Sequence, residues 1–100
     1  MYVVVVFYEA RSEHVASLRA ALLLQARHSL EHEPGCRQFD VAAHPLEPTG
    51  FLSYELYDDE AGWRLHLESD HMQWFTEQAA AWIATKRVLS YELISGHGQA

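Results

Sequence analysis

Apolar residues run without a break from Tyr2 to Tyr8, and four of the seven are valine. A β-branched run of this kind predicts a strand covered on both faces. The period then becomes helical. Ser12 is an N-cap candidate, and Val15, Leu18, Leu22, Ala26 and Ser29 recur on one helix face, which Leu23 and Leu30 widen. Pro34 keeps Glu33 out of helical geometry and Gly35 supports a turn. A second strand is expected over Arg37–Ala43, a hairpin-like loop over Pro45–Gly50 and a third strand over Phe51–Tyr57. Asp58 can cap a short helix whose first turn carries Asp59 and Glu60, charges that suit its N-terminal dipole. Ser69 or Asp70 caps a further helical segment, with Met72, Phe75, Ala79 and Trp82 or Ile83 on one stripe. A last strand over Val88–Ile94 alternates Leu89, Tyr91 and Leu93 against Ser90 and Glu92.

The order strand, helix, two strands, broken helix, strand is the ferredoxin-like β-α-β-β-α-β arrangement, an α+β fold with helices on one face of a four-stranded antiparallel sheet. The core spans 3–94 and residues 95–100 form a frayed tail. The first strand is apolar on both faces, with Tyr2, Val4, Val6 and Tyr8 on one and Val3, Val5 and Phe7 on the other. Helices can cover only one of these rows. The other predicts an interface, and two sheets packed face to face predict a homodimer.

Length and charge narrow the function classes. One hundred residues make a single domain, with little room for a deep pocket that does not borrow walls from a partner. A net charge of −7 argues against nucleic acid, and scattered lysines and arginines argue against an anionic membrane surface. Cys36 is the only cysteine, so no internal disulfide can form. The opening apolar run lacks a basic leader and is too short to span a bilayer, so a cytoplasmic location is expected.

Few side chains carry chemistry. His66 and His71 lie five positions apart, about 140° around an unbroken helix, but a break at Ser69 lets both converge on one cavity. Histidine is the natural general base at neutral pH, and Glu55 is the carboxylate expected to orient it and stabilise its protonated form. Trp63, Trp74 and Phe75 are candidate walls for a flat substrate, as is Trp82. Tyr54 and Tyr57 point to opposite faces of their strand. Tyr57 joins the pocket if Glu55 points inward, and Tyr54 does if Glu55 faces the dimer seam. His28 and His32, at i and i+4, could chelate a metal, but the H-E-x-x-H pattern and an obvious third ligand are missing, so no metal site is expected. Cys36 reads as a small buried residue. No nucleotide-binding glycine motif is present, and no cofactor is expected.

Across Val3–Ile94, and most closely at Glu33–Asp40 and Phe51–Phe75, the chain resembles the antibiotic-biosynthesis monooxygenase family. The resemblance implies a dimeric α+β barrel with a pocket between sheet and helices in each subunit. It implies oxidation of phenols, quinols or aromatic polyketides by molecular oxygen without flavin, haem or metal. Related members are isomerases, haem-degrading enzymes or proteins without an assigned activity. The haem-degrading branch uses an Asn, Trp and His set; this chain has no Asn and carries His66 about where that Trp falls. The expected function is therefore cofactor-independent oxidation of a small electron-rich aromatic by O2. An isomerase using the same base, or a non-enzymatic module binding an aromatic metabolite, are the alternatives.

Overall fold

The valine-rich run becomes β1 (Tyr2–Ala10), a central strand hydrogen-bonded along both edges. A computed structural model describes residues 1–96. A single 3₁₀ turn at Ser12–His14 leads into α1 (Val15–His32), followed by β2 (Cys36–Ala43), β3 (Gly50–Tyr57), α2 (Glu60–Glu68), α3 (Asp70–Ala79) and β4 (Ile83–Glu92). The four strands are ordered β2-β3-β1-β4, each antiparallel to its neighbour, which is the ferredoxin-like α+β arrangement. Among the described residues no helix is long and apolar enough to cross a membrane. The tail expected at 95–100 lies, beyond Gly96, outside the described residues.

Strand alternation sorts the sheet into two unlike faces. Val4, Val6 and Tyr8 of β1 share the helix-covered face with Phe51, Ser53, Glu55 and Tyr57 of β3, and all seven are buried. They meet Leu18, Ala21 and Leu22 of α1 and Phe75 and Ala79 of α3 in one core. On β2 the register slips between Cys36 and Gln38, so that Cys36 and Phe39 both turn into this core across an odd spacing. The opposite face carries Val3, Val5, Phe7, Leu52, Tyr54, Leu56, Leu89 and Tyr91. No described helix covers it, and Phe7 is 44 % and Tyr91 60 % exposed.

Several local expectations are corrected. The apolar stripe of α3 ends at Ala79, because Trp82 N–H bonds back to the Ala79 carbonyl at 2.8 Å and Ile83 enters β4 opposite Ala10. β4 therefore begins at Ile83, not Val88, and stops at Glu92: β1 requires partners along its whole second edge, from Tyr2–Glu92 to Ala10–Ile83. Ser12 opens the 3₁₀ turn and does not cap α1. Asp59, not Asp58, caps α2 by accepting from Gly62 N–H at 2.8 Å. Asp58 is held instead by Arg37, whose Nε donates to it at 2.6 Å.

The break between α2 and α3 falls at Ser69, as expected. Its extended backbone ends one helix and starts the next, while its hydroxyl donates to the His66 carbonyl at 2.7 Å and accepts from Met72 N–H at 3.3 Å. Two mutations separate core from cap. Leu18→Ala, at a fully buried position, is expected to cost about 2–5 kcal/mol, and Ser69→Ala about 1 kcal/mol. Urea denaturation measures both; an equal or reversed ranking would contradict this division.

Candidate active site

Three helix ends meet around one carboxylate. α1 terminates at Glu33, which takes extended backbone (φ −108°, ψ 106°) before Pro34, while α2 delivers His66 in its last turn and α3 delivers His71 in its first. The turn after Glu33 sits close against α2, since a Cβ added at Gly35 would lie 3.3 Å from the Gly62 Cα. Bare glycine on both sides lets the two segments come this near. Glu33 then lies between the rings. Its Oε1 and Oε2 are 3.0 and 3.1 Å from His66 Nδ1, and Oε2 is 2.8 Å from His71 Nε2. The Ser29 hydroxyl, one turn earlier on α1, is 3.3 Å from both of those nitrogens.

Burial pushes the Glu33 carboxyl up, but the hydrogen bond from His66 and the charge that His66 and His71 carry when protonated, with the Ser29 hydroxyl, outweigh it and hold the group below the usual carboxylate range. Burial pushes His71 below its ordinary value, helped by His28 and His66 and opposed by Glu33. An ionised carboxylate only accepts hydrogen bonds, so the nitrogens facing it carry the protons: Nδ1 of His66 and Nε2 of His71.

The other edge of His66 faces a second carboxylate. His66 is only 2 % exposed, and its Nε2 lies 3.9 Å from Glu55 Oε1. Glu55, on the helix-covered face of β3, accepts from the Ser53 hydroxyl at 2.7 Å and the Tyr57 hydroxyl at 2.6 Å. Burial first, and then the Glu55 charge, drive the Tyr57 phenol far above its ordinary value, so it serves only as a donor. Of the two orientations left open by the sequence, Glu55 and Tyr57 lie under the helices, and Tyr54 is on the other face.

Beside Nε2 is a cavity of about 40 Å³ between the sheet and α2–α3. Glu55, His66, Trp63, Met72 and Phe75 line it, with Lys86 and Val88 on the β4 flank. It has room for a diatomic gas or a few waters, and an aromatic ring enters only if these side chains move. Loss of water around its ammonium holds Lys86 below the usual lysine range, against the pull of Glu55. Lys86 Nζ sits 5.8 Å from the centre of the Tyr8 ring.

The expected site residues separate into groups. His66, Glu55, Trp63 and Phe75 line the cavity, and Tyr57 supports Glu55 from below. His71 lies beyond His66, with ring centres 6.0 Å apart, and reaches the cavity only through Glu33 and His66. Trp74 is 44 % exposed and lines no part of the cavity, because the inward stripe of α3 runs through Met72, Phe75 and Ala79. Glu33 and Ser29 were not anticipated. The available signal was Ser29 itself, a hydroxyl at a buried position of an otherwise apolar helix stripe.

His28 and His32 do stack, with ring centres 4.4 Å apart, and the His28 ring also lies 4.0 Å from that of His71. Among the described residues, Glu33, His66 and His71 are the group that could hold a metal ion, with donor atoms all within 4.8 Å of one another. Cys36 is buried, and burial together with the charges of Glu33 and Glu55 pushes its thiol up to about 12, which removes it as a nucleophile at neutral pH.

Residues 1–78 match the family profile described as antibiotic biosynthesis monooxygenase. No curated protein matches the chain. Among solved structures, a Nitrosomonas europaea protein named as a candidate antibiotic biosynthesis monooxygenase is 25 % identical with a TM-score of 0.90, over 95 % of this chain and 100 % of that one. Rv0793 from Mycobacterium tuberculosis is 19 % identical, TM-score 0.87, over 95 % of this chain and 96 % of its own. A Deinococcus radiodurans protein named in the same way as the first is 22 % identical, TM-score 0.88, over 97 % and 96 %. At these identities the last two speak for the fold alone.

Proposed function

Because this chain belongs to the antibiotic biosynthesis monooxygenase family, we propose that it oxidises a small electron-rich aromatic, a quinol or phenol, with O2 and without an organic cofactor. One observation carries the reading. Both Glu33 oxygens engage His66 Nδ1, so the neutral ring carries its proton there and presents the Nε2 lone pair on the side of Glu55 and the cavity. A phenolic hydroxyl brought against Nε2 gives up its proton there. The imidazolium that forms lies between the carboxylates of Glu33 and Glu55. His71 holds the far side of Glu33 and is a positioning residue.

The substrate anion then passes one electron to O2, giving a substrate radical and superoxide. A quinol completes the reaction when its radical gives superoxide a further electron and proton and His66 returns the proton it took, releasing quinone and hydrogen peroxide. In a phenol the two radicals couple at a ring carbon, and loss of water leaves one oxygen atom in the product. Trp63 and Phe75 supply the apolar walls that exclude bulk water, and the small cavity suits O2 itself.

The bare sheet face belongs to the same reading. Phe7 and Tyr91 stand exposed on it beside Val5, Leu52, Tyr54 and Leu89, and the face of a second copy would cover them in a homodimer.

Two measurements test these proposals. His66→Gln keeps most of the side-chain volume at a buried position, and oxygen uptake with a panel of quinols and phenols is expected to fall about 10²–10⁴-fold with the fold retained by circular dichroism. Turnover within a few-fold of wild type, or proton exchange under argon with no oxygen uptake, contradicts the reading. For assembly, light scattering at micromolar concentration is expected to give twice the 11.5 kDa chain mass, with Phe7→Glu dissociating the pair. A monomeric wild type contradicts the sheet-to-sheet dimer.

A further inference from the structure

We propose that Glu33, His66 and His71 form a binding site for one divalent transition-metal ion of the zinc class, and that the ion switches off the base proposed above. The donors come from three separate elements and face one point: Glu33 Oε1 is 3.0 Å from His66 Nδ1, and Oε2 is 2.8 Å from His71 Nε2. Two imidazoles and a carboxylate bind such an ion at about 2.0–2.2 Å each, which in a tetrahedron sets the donors about 3.4 Å apart. The present separations, all within 4.8 Å, bracket that value, so sub-ångström shifts seat the ion. Ser29 Oγ, 3.3 Å from both nitrogens, completes the polar lining of the same point.

Two further observations favour an ion over a purely hydrogen-bonded cluster. A histidine metallated at Nδ1 carries its remaining proton on Nε2 and is commonly braced there by a carboxylate. Glu55 Oε1 already stands on that side at 3.9 Å. Beside His71, with ring centres 4.0 Å apart, lies His28, whose Nδ1 is the one buried side-chain nitrogen or oxygen without a hydrogen-bond partner among the described residues. A spare imidazole donor therefore borders the three ligands.

The consequence rests on the functional reading. The ion takes the places of the protons that His66 Nδ1 and His71 Nε2 now share with Glu33, and each neutral ring keeps its one proton by carrying it on its other nitrogen. His66 Nε2 then becomes an N–H, which cannot accept a proton from substrate. Binding itself does not rest on that reading, because it involves no turnover.

The test uses the full chain after chelator dialysis, titrated with Zn²⁺ by calorimetry and with Co²⁺ by visible spectroscopy. The expected result is about one ion per chain and tetrahedral cobalt bands. Glu33→Gln and His71→Ala should weaken binding at least about tenfold, while His32→Ala leaves it unchanged. Absence of stoichiometric binding overturns the proposal. So does binding that survives Glu33→Gln but is lost in the His28→Ala/His32→Ala double variant, which would put the ion on the outer face of α1. Should a ligand variant fail to fold, ring NMR of the wild type decides: Zn²⁺ must move the His66 and His71 signals, and unmoved signals overturn the site. With binding established, Zn²⁺ is expected to suppress oxygen uptake. Binding without suppression overturns the inhibitory role, and absence of uptake before any metal is added counts against the functional reading while the site stands.

Discussion

The Glu33 carboxylate lies where an unpaired charge would cost several kcal/mol, and the ends of three helices are arranged to satisfy it. α1 supplies the carboxylate at its C-terminus, α2 and α3 supply one imidazole each, and Ser69 makes the two short helices meet at the angle this requires. Uninterrupted helix across residues 66–71 would turn the two rings about 140° apart, and only one could reach Glu33. The pre-proline geometry of Glu33, the Gly35–Gly62 approach and the Ser69 cap are thus three local devices serving one contact.

That contact also gives His66 its direction. The residue is enclosed by two carboxylates that differ in what they leave free. Glu33 spends its oxygens on imidazole nitrogens, whereas Glu55 has each oxygen occupied by a hydroxyl, from Ser53 and Tyr57. At 3.9 Å from Nε2, Glu55 lies beyond hydrogen-bond distance in this arrangement and faces the ring across a gap. The asymmetry separates a positioning side of the ring from a reacting side.

The fold was legible because its signals are periodic and local: the two-faced apolar run of β1, the helical stripe of α1, Pro34 and the broken second helix. The extent of β4 was not, because residues 83–87 have no strong alternation of their own and are drawn into the sheet by the open edge of β1. His66, Glu55, Trp63 and Phe75 lie around the cavity because their elements could be read from spacing and resemblance, whereas the face taken by Glu55 was open until the strand register placed it under the helices. Glu33 was missed for the opposite reason. Its role depends on the contact of three helix ends distant in sequence, and a glutamate before a proline reads locally as turn chemistry. The inward turn of Cys36 likewise depends on a register slip in β2 that leaves no mark in the pattern.

The base assignment depends on where the neutral His66 ring carries its proton, and nitrogen NMR of the histidine rings in chelator-treated protein, followed upward in pH until the ring is neutral, reads this directly. The predicted spectrum has His66 protonated at Nδ1, with its proton coupled to the Glu33 side, and Nε2 bare. A His66 ring protonated at Nε2 alone would mean that Glu33 does not set the tautomer, and would contradict both the base assignment and the geometry on which it stands.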